Sequence, residues 1–240
     1  MRSKRKINNL VLLVGGLGTR LRSVVAKVPK PMAPVKKKPF LKYVLDYWYD
    51  RGVRNFYLLV GYKGFVIEKY FGSKFKDSNI FYCFEKKLAG TGGALKIFFM
   101  KDKNHNQDED FILVNGDTWL DIDMHTLTSD REKNKNNLII AVNEIPVNDR
   151  YGTLNIKKNK ILEISPSNNK KAFINSGLYI FKPKILIEYL KKQEKHNFSF
   201  EVDILPALIK DGKVFGSFCV KNFLDIGVPR DYSKTIDILG

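Results

Sequence analysis

Hydrophobic residues along this chain fall into two rhythms, and their alternation predicts the fold before any single residue is considered. Continuous apolar runs too short for helices, NLVLLV (9–14), NFYLLV (55–60), IFYCF (80–84) and FILVN (111–115), read as buried strands. Helical spacing fills the gaps: PFLKYVLDYWYDRG (39–52), stopped by Gly52, then about Tyr62 to Phe71, and Thr91 to about Phe99. Alternating strands and helices predict an α/β fold, a Rossmann-like, predominantly parallel sheet flanked by helices. Past Asp130 the pattern changes to NLIIAVN, TLNI, KILEI and AFINSGLYIF, separated by turns. This predicts a small mixed β region, then helices at about 184–192 and 201–210 and a last strand into Asp225.

The strand ends carry the candidate chemistry. The run Leu10–Val14 stops at Gly15 and Gly16, followed by Gly18, Thr19 and Arg20, with Lys30 held between Pro29 and Pro31. Glycines let backbone N–H groups approach an anion closely, and the two cations add charge, so the segment reads as a phosphate-binding loop for a nucleoside triphosphate. Two other glycine loops are excluded. A Walker loop needs lysine and then Ser or Thr after its last glycine, whereas Gly18 is followed by Thr19 and Arg20; a dinucleotide fingerprint needs a small residue where Leu21 stands. Ligands of parallel sheets bind at the carboxyl ends of strands. Gly15 and Gly16 follow the first predicted strand, Glu85 and Gly90 the third and Asp117 the fourth, which puts them all on one edge.

Composition narrows the partners. At 240 residues one domain, 1–240, is the expectation, with a nucleotide-binding half over about 7–130 and an acceptor half over about 131–240. The net charge of +17 would suit phosphorylated small molecules, nucleic acid or an anionic membrane. Most of the excess is lysine mixed with asparagine, as in KDKNHNQ and REKNKNN, which reads as solvated loops, so neither nucleic acid nor membrane is expected as a partner. The apolar run before Gly15 is too short for a signal peptide, and a cytoplasmic protein is expected. Cys83 and Cys219 cannot form a disulfide framework and read as buried, reduced thiols.

GGLGTRL followed by PKPM resembles the signature of the sugar-1-phosphate nucleotidyltransferases. Further landmarks run in that family's order: Glu85 with AGTGGAL, NGDT (115–118), YGTL (151–154), INSGLYIF (174–181), FSFEVDILPAL (198–208) and FLDIGVPRDY (223–232). Within the family the pattern is most similar to the guanylyltransferases of manno-heptose 1-phosphate, with mannose 1-phosphate enzymes next. The resemblance implies GTP and a sugar 1-phosphate as partners, Mg²⁺ as cofactor and a homodimer as one open arrangement. It also implies roles. Arg20, Lys30, Asp117 and Asp225 would be catalytic, Asp117 and Asp225 holding the metal. Leu13, Gly15, Gly16, Gly18, Thr19, Arg20, Lys30, Glu85, Gly90, Thr91 and Asp117 would bind the nucleotide, with Gly90 and Thr91 closing on the base. Gly152, Asn175 and Glu201 would hold the sugar.

Chemistry agrees with that assignment. A phosphate monoester is already largely ionised near neutrality, so joining two polyanions calls for positioning and charge neutralisation more than for a general base. Mg²⁺ takes one or two carboxylates plus water and phosphate oxygens. One departure stands out. Relatives carry a Glu-Lys pair before INxG, where this chain has Pro166 and Ser167, with Glu163 earlier and Lys170 and Lys171 later. Either Lys170 or Lys171 reaches in from a longer loop to take the sugar phosphate, or acceptor binding is weaker than in those relatives. Val14, where relatives have alanine, is a milder change.

Overall fold

The computed structural model describes residues 7–21, 25, 27–101, 106–146, 152–165 and 171–239. In chain order it runs β1 (Asn9–Leu13), β2 (Pro34–Val35), β3 (Lys38–Pro39), α1 (Phe40–Asp50), β4 (Asn55–Val60), α2 (Gly64–Phe71), β5 (Lys74–Phe75), β6 (Ser78–Phe84), α3 (Gly90–Lys101), β7 (Phe111–Asn115) and β8 (Thr118–Ile122). It continues with α4 (Met124–Lys133), β9 (Leu138–Pro146), β10 (Thr153–Lys157), β11 (Lys160–Ser165), β12 (Lys171–Phe181), α5 (Pro183–Lys192), α6 (Leu205–Lys210), β13 (Val214–Ser217), β14 (Val220–Asp225) and α7 (Pro229–Leu239). The chain forms two compact units that interleave along the sequence. The first comprises residues 1–89, 113–119 and 224–240, and the second 90–112 and 120–223. Helices α3 and α4 belong to the second unit and α7 to the first.

In the first unit the strand order is β7-β1-β4-β6-β5. β1, β4 and β6 pair in parallel, with Asn9 opposite Asn55 and Asn55 opposite Asn79. Those three amides form a ladder, Asn79 Nδ2 donating to Asn55 Oδ1 at 3.2 Å and Asn55 Nδ2 to Asn9 Oδ1 at 3.1 Å. The ladder satisfies polar groups at the entrance of strands whose interiors are apolar, and it favours one register, since a slip would break both bonds. Helix α1 buries Phe40, Leu41, Val44, Leu45 and Trp48 along one stripe. It ends where the sequence places its stop. Gly52 takes φ +95°, its N–H reaches Tyr49 O and the N–H of Val53 reaches Trp48 O, the two bonds of a Schellman cap.

In the second unit the order is β10-β11-β13-β9-β12. β12 runs antiparallel to β9 and β13 parallel to it, which is the expected mixed sheet. Between Asn175 and Tyr179 the register of β12 shifts against β9, and Gly177 in the bulge adopts φ +73°. The helix expected at 201–210 is a wide π turn, Phe200–Ile204, that passes into α6, which has Pro206 in its first turn. At its far end α6 repeats the cap of α1: Gly212 N–H meets Ile209 O and Lys213 N–H meets Leu208 O.

The thiols differ from expectation at one position. Cys219 is buried, and burial pushes its thiol up to about 11. Cys83 is only half-buried. The edge strand β5 pairs with Ser78 and Asn79 alone, so the end of β6 that carries Cys83 is left at the margin of the sheet. Among the described residues no helix is long and apolar enough to cross a membrane.

Candidate functional site

The first unit gathers the glycine loop, two carboxylates and a lysine. β1 delivers Gly15 beside the end of β4. A Cβ on Gly15 would stand 2.7 Å from Glu85 Oε1 and 3.0 Å from the Gly61 amide, so only glycine lets the loop pass between them. Glu85 is turned toward that loop by its Oε2, which accepts the Ala89 N–H at 2.7 Å. Gly116 fits closely too: its N–H donates to Leu13 O at 3.0 Å, and a Cβ would come within 2.4 Å of Val14 Cγ1. Val14 is buried in that contact. Gly18, at φ +59°, lets the stem of Lys30 lie against the loop, since a Cβ there would meet Lys30 Cβ at 2.9 Å. Arg20 and Thr19 lie exposed on a single 3-10 turn, Thr19–Leu21, and Gly16 is open to solvent.

Lys30 is the centre of the arrangement. Its ammonium donates to Asp117 Oδ2 at 2.5 Å, with the lysine side chain 10% exposed and the aspartate 34%. The lysine expected to hold phosphate and the aspartate expected to hold metal thus neutralise each other. Asp225 reaches the same neighbourhood through the backbone, because the N–H of Ile226 donates to Asp117 O at 3.0 Å. Its Oδ1 accepts the Gly227 N–H at 2.5 Å, which orients the carboxyl. Asn115 Oδ1 is buried with no hydrogen-bond partner among the described residues, two positions from Asp117. A divalent cation fits this set, since Asp117 already accepts a cation and a second carboxylate is tied to its backbone. No cluster of three or more metal-binding side chains occurs among the described residues, so water and phosphate oxygens would complete the shell, as Mg²⁺ prefers.

The second unit holds a different cluster, built of hydroxyls around one carboxylate. Glu201, in the π turn, accepts at Oε2 from Thr91 Oγ1 at 2.9 Å and from Ser199 Oγ at 3.2 Å. Its Oε1 accepts from the Tyr179 hydroxyl at 3.4 Å, and that hydroxyl in turn accepts from Asn175 Nδ2 at 2.6 Å. Tyr179 is fully buried, and desolvation, then the nearby Glu201 charge, raise its phenol well above the ordinary value, so it stays a donor. The bulge of β12 orients Asn175, whose Oδ1 takes the Gly177 N–H at 3.0 Å. Ser199 and Asp203 cap the π turn reciprocally: Ser199 Oγ accepts from Val202 N, and Asp203 Oδ2 accepts from Ser199 N at 2.7 Å.

Gly90 and Thr91, read as closing on the base, stand at the start of α3 with this second cluster. Gly152 is exposed in the second unit, and a Cβ there would stand 3.0 Å from Ile164 Cγ2. Lys171 is exposed and pairs with Glu144 at 3.0 Å. Lys170, Pro166 and Ser167 lie outside the described residues. Tyr179 and Ser199 are the site residues that reading the sequence misses. Both sit inside quoted motifs, INSGLYIF and FSFEVDILPAL, but only the bulge and the π turn bring them to Glu201.

Residues 9–239 match the nucleotidyl transferase family, and the chain belongs to it. It is 37% identical over 93% of its length to the D-glycero-alpha-D-manno-heptose 1-phosphate guanylyltransferase of Aneurinibacillus thermoaerophilus, covering 95% of that protein. To the protein of the same name in Campylobacter jejuni it is 38% identical, over 92% of this chain and 96% of the other. The crystal structure of HddC from Yersinia pseudotuberculosis complexed with GMP-PN superposes with a TM-score of 0.77 at 31% identity, over 98% of this chain and all of the other.

Proposed function

We propose that this protein transfers GMP from GTP to D-glycero-α-D-manno-heptose 1-phosphate, forming the GDP-heptose and pyrophosphate. The observation that carries the reading is the meeting of Lys30 and Asp117 under the glycine loop, in a chain similar to heptose 1-phosphate guanylyltransferases over nearly its whole length. In the reaction a sugar-phosphate oxygen bonds to the α-phosphorus of GTP while the bond from that phosphorus to the departing pyrophosphate breaks. Arg20 grips the β- and γ-phosphates with its fork, and Lys30 reaches the reacting phosphates as a point charge. Backbone groups of Gly15, Gly16, Gly18 and Thr19, with Leu13, support the nucleotide. Glu85 offers a carboxylate to the guanine edge, where two adjacent N–H donors suit a bidentate acceptor. Asp117 and Asp225 hold Mg²⁺, which neutralises charge on the phosphates when bound. Asn175 and Glu201 take the hydroxyl-rich acceptor, with Gly152 beside them and Lys170 or Lys171 on its phosphate.

The test is pyrophosphate release with Mg²⁺ across the four nucleoside triphosphates and a panel of hexose and heptose 1-phosphates. The reading expects the highest kcat/KM for GTP with the manno-heptose 1-phosphate. A preference for mannose 1-phosphate would move the protein to the neighbouring guanylyltransferases. Nucleotide binding without any sugar-dependent release would make it a non-catalytic relative.

A further inference from the structure

Thr91 lies between two glycines that fix its place. A Cβ on Gly90 would stand 2.4 Å from Phe198 O, and one on Gly92 would stand 2.4 Å from the Phe198 ring, so both press the start of α3 against the 197–200 segment. The N–H groups of Gly92 and Gly93 then donate to Phe198 O at 3.0 and 3.3 Å. In that setting the Thr91 hydroxyl accepts the Phe200 N–H at 2.8 Å and gives its only proton to Glu201 Oε2 at 2.9 Å. A hydroxyl has one proton to give. It is spent on Glu201, and with it spent the side chain has no donor for a nucleobase.

We infer that Thr91 is a positioning residue for the acceptor sugar, holding Glu201 at the angle at which its carboxylate meets sugar hydroxyls, and that its side chain takes no part in reading the base. The inference rests on the proposed role of Glu201 and Asn175 in binding the sugar. Donors converge on this one carboxylate from Thr91, Ser199 and Tyr179, and Asn175 joins through Tyr179. A carboxylate held by three hydroxyls is already oriented and loses little freedom when it takes a ligand. Charge-assisted hydrogen bonds are the strong ones, and removing the Thr91 donor leaves Glu201 Oε2 to the longer contact from Ser199, so the carboxylate is held less tightly. The cost falls on whatever Glu201 binds.

Thr91→Val keeps the shape and removes the hydroxyl, while Thr91→Ser keeps the hydroxyl. KM for each substrate is measured in wild type and both variants, with thermal unfolding as the check on folding. Thr91→Val is expected to raise KM for the sugar phosphate about tenfold, to leave KM for GTP within about twofold, and Thr91→Ser to restore most of the loss. Tyr179→Phe touches Glu201 from the other side and gives the same asymmetry if Thr91→Val fails to fold. A rise in KM for GTP with KM for the sugar phosphate unmoved would return Thr91 to the base and overturn the inference, as would no change in either. A wild type with no sugar-dependent turnover would overturn the proposed function itself, a result separable from any shift among the variants.

Discussion

Two ion pairs, one in each unit, look alike on paper and are built for opposite fates. In the first unit Lys30 meets Asp117 through one contact at 2.5 Å, with a third of the aspartate side chain in solvent. In the second, Arg131 and Asp110 are 5% and 7% exposed, and every arm of the guanidinium is used. Arg131 Nε and Nη2 both donate to Asp110 Oδ1, at 2.9 and 2.7 Å, while Nη1 donates to Asn134 O and Asn137 O at 2.9 and 2.8 Å. The arginine fork closes the C-terminal end of α4, with four of its five N–H donors engaged and its side chain shut off from solvent. The lysine pair has one bond to give up, and in the proposed function a metal-bound triphosphate would offer both of its groups a partner. Charge satisfied completely is architecture; charge satisfied by one exchangeable contact is a site in its resting form.

Cutting the closed pair should have the largest effect. Arg131→Ala leaves Asp110 buried without its cation, and removal of one partner of a buried pair costs about 3–5 kcal/mol. Urea unfolding should show that loss, while protein that remains folded keeps its KM values. A stability change below about 1 kcal/mol would mean that the fork is not the structural element its burial indicates.

Cutting the open pair should do the reverse. Asp117→Asn and Asp225→Asn are expected to lower kcat on the order of a hundredfold or more, since each removes a charge from the carboxylate set, with little change in unfolding. Near wild-type turnover at saturating Mg²⁺ in either variant would remove that residue from the metal site.

Much of this contrast was already readable in the chain, and the missing part has a physical cause. The strands Asn55–Val60 and Phe111–Asn115 coincide with their apolar runs, because a strand covered on both faces writes itself as a continuous hydrophobic segment. Helix α4 left no such trace. It buries only Leu127 and Arg131, and it begins because Asp123 accepts the N–H groups of His125 and Thr126 rather than because of an apolar stripe. In the site, Lys30 and Asp117 were each identifiable from GGLGTRL, PKPM and NGDT. Their contact was not, since it joins residues 87 positions apart. Tyr179 was hidden for a related reason: alternation along β12 gives it a place in the core, and only the shift after Asn175 shows its hydroxyl turned onto Glu201.

A smaller effect is expected at the surface. The Lys171 and Glu144 side chains are 71% and 49% exposed, and such pairs contribute about 0–1 kcal/mol. A sugar phosphate can therefore recruit Lys171 from Glu144 at little cost. Lys171→Ala should leave thermal unfolding unchanged and raise KM for the sugar phosphate about threefold, with KM for GTP unmoved. An unchanged KM for the sugar phosphate would leave Lys171 on the solvated surface.

The exchange at Asp117 is open to a direct measurement, Mn²⁺ binding followed by electron paramagnetic resonance in wild type and Lys30→Ala, without nucleotide. If the ammonium occupies a carboxylate oxygen that the metal must take, removing it should tighten Mn²⁺ binding about tenfold or more, since a hydrogen bond to a charged group contributes about 1.5–3 kcal/mol. Equal Mn²⁺ affinity in the two proteins would contradict the account, because Lys30 and the metal would then not compete for Asp117.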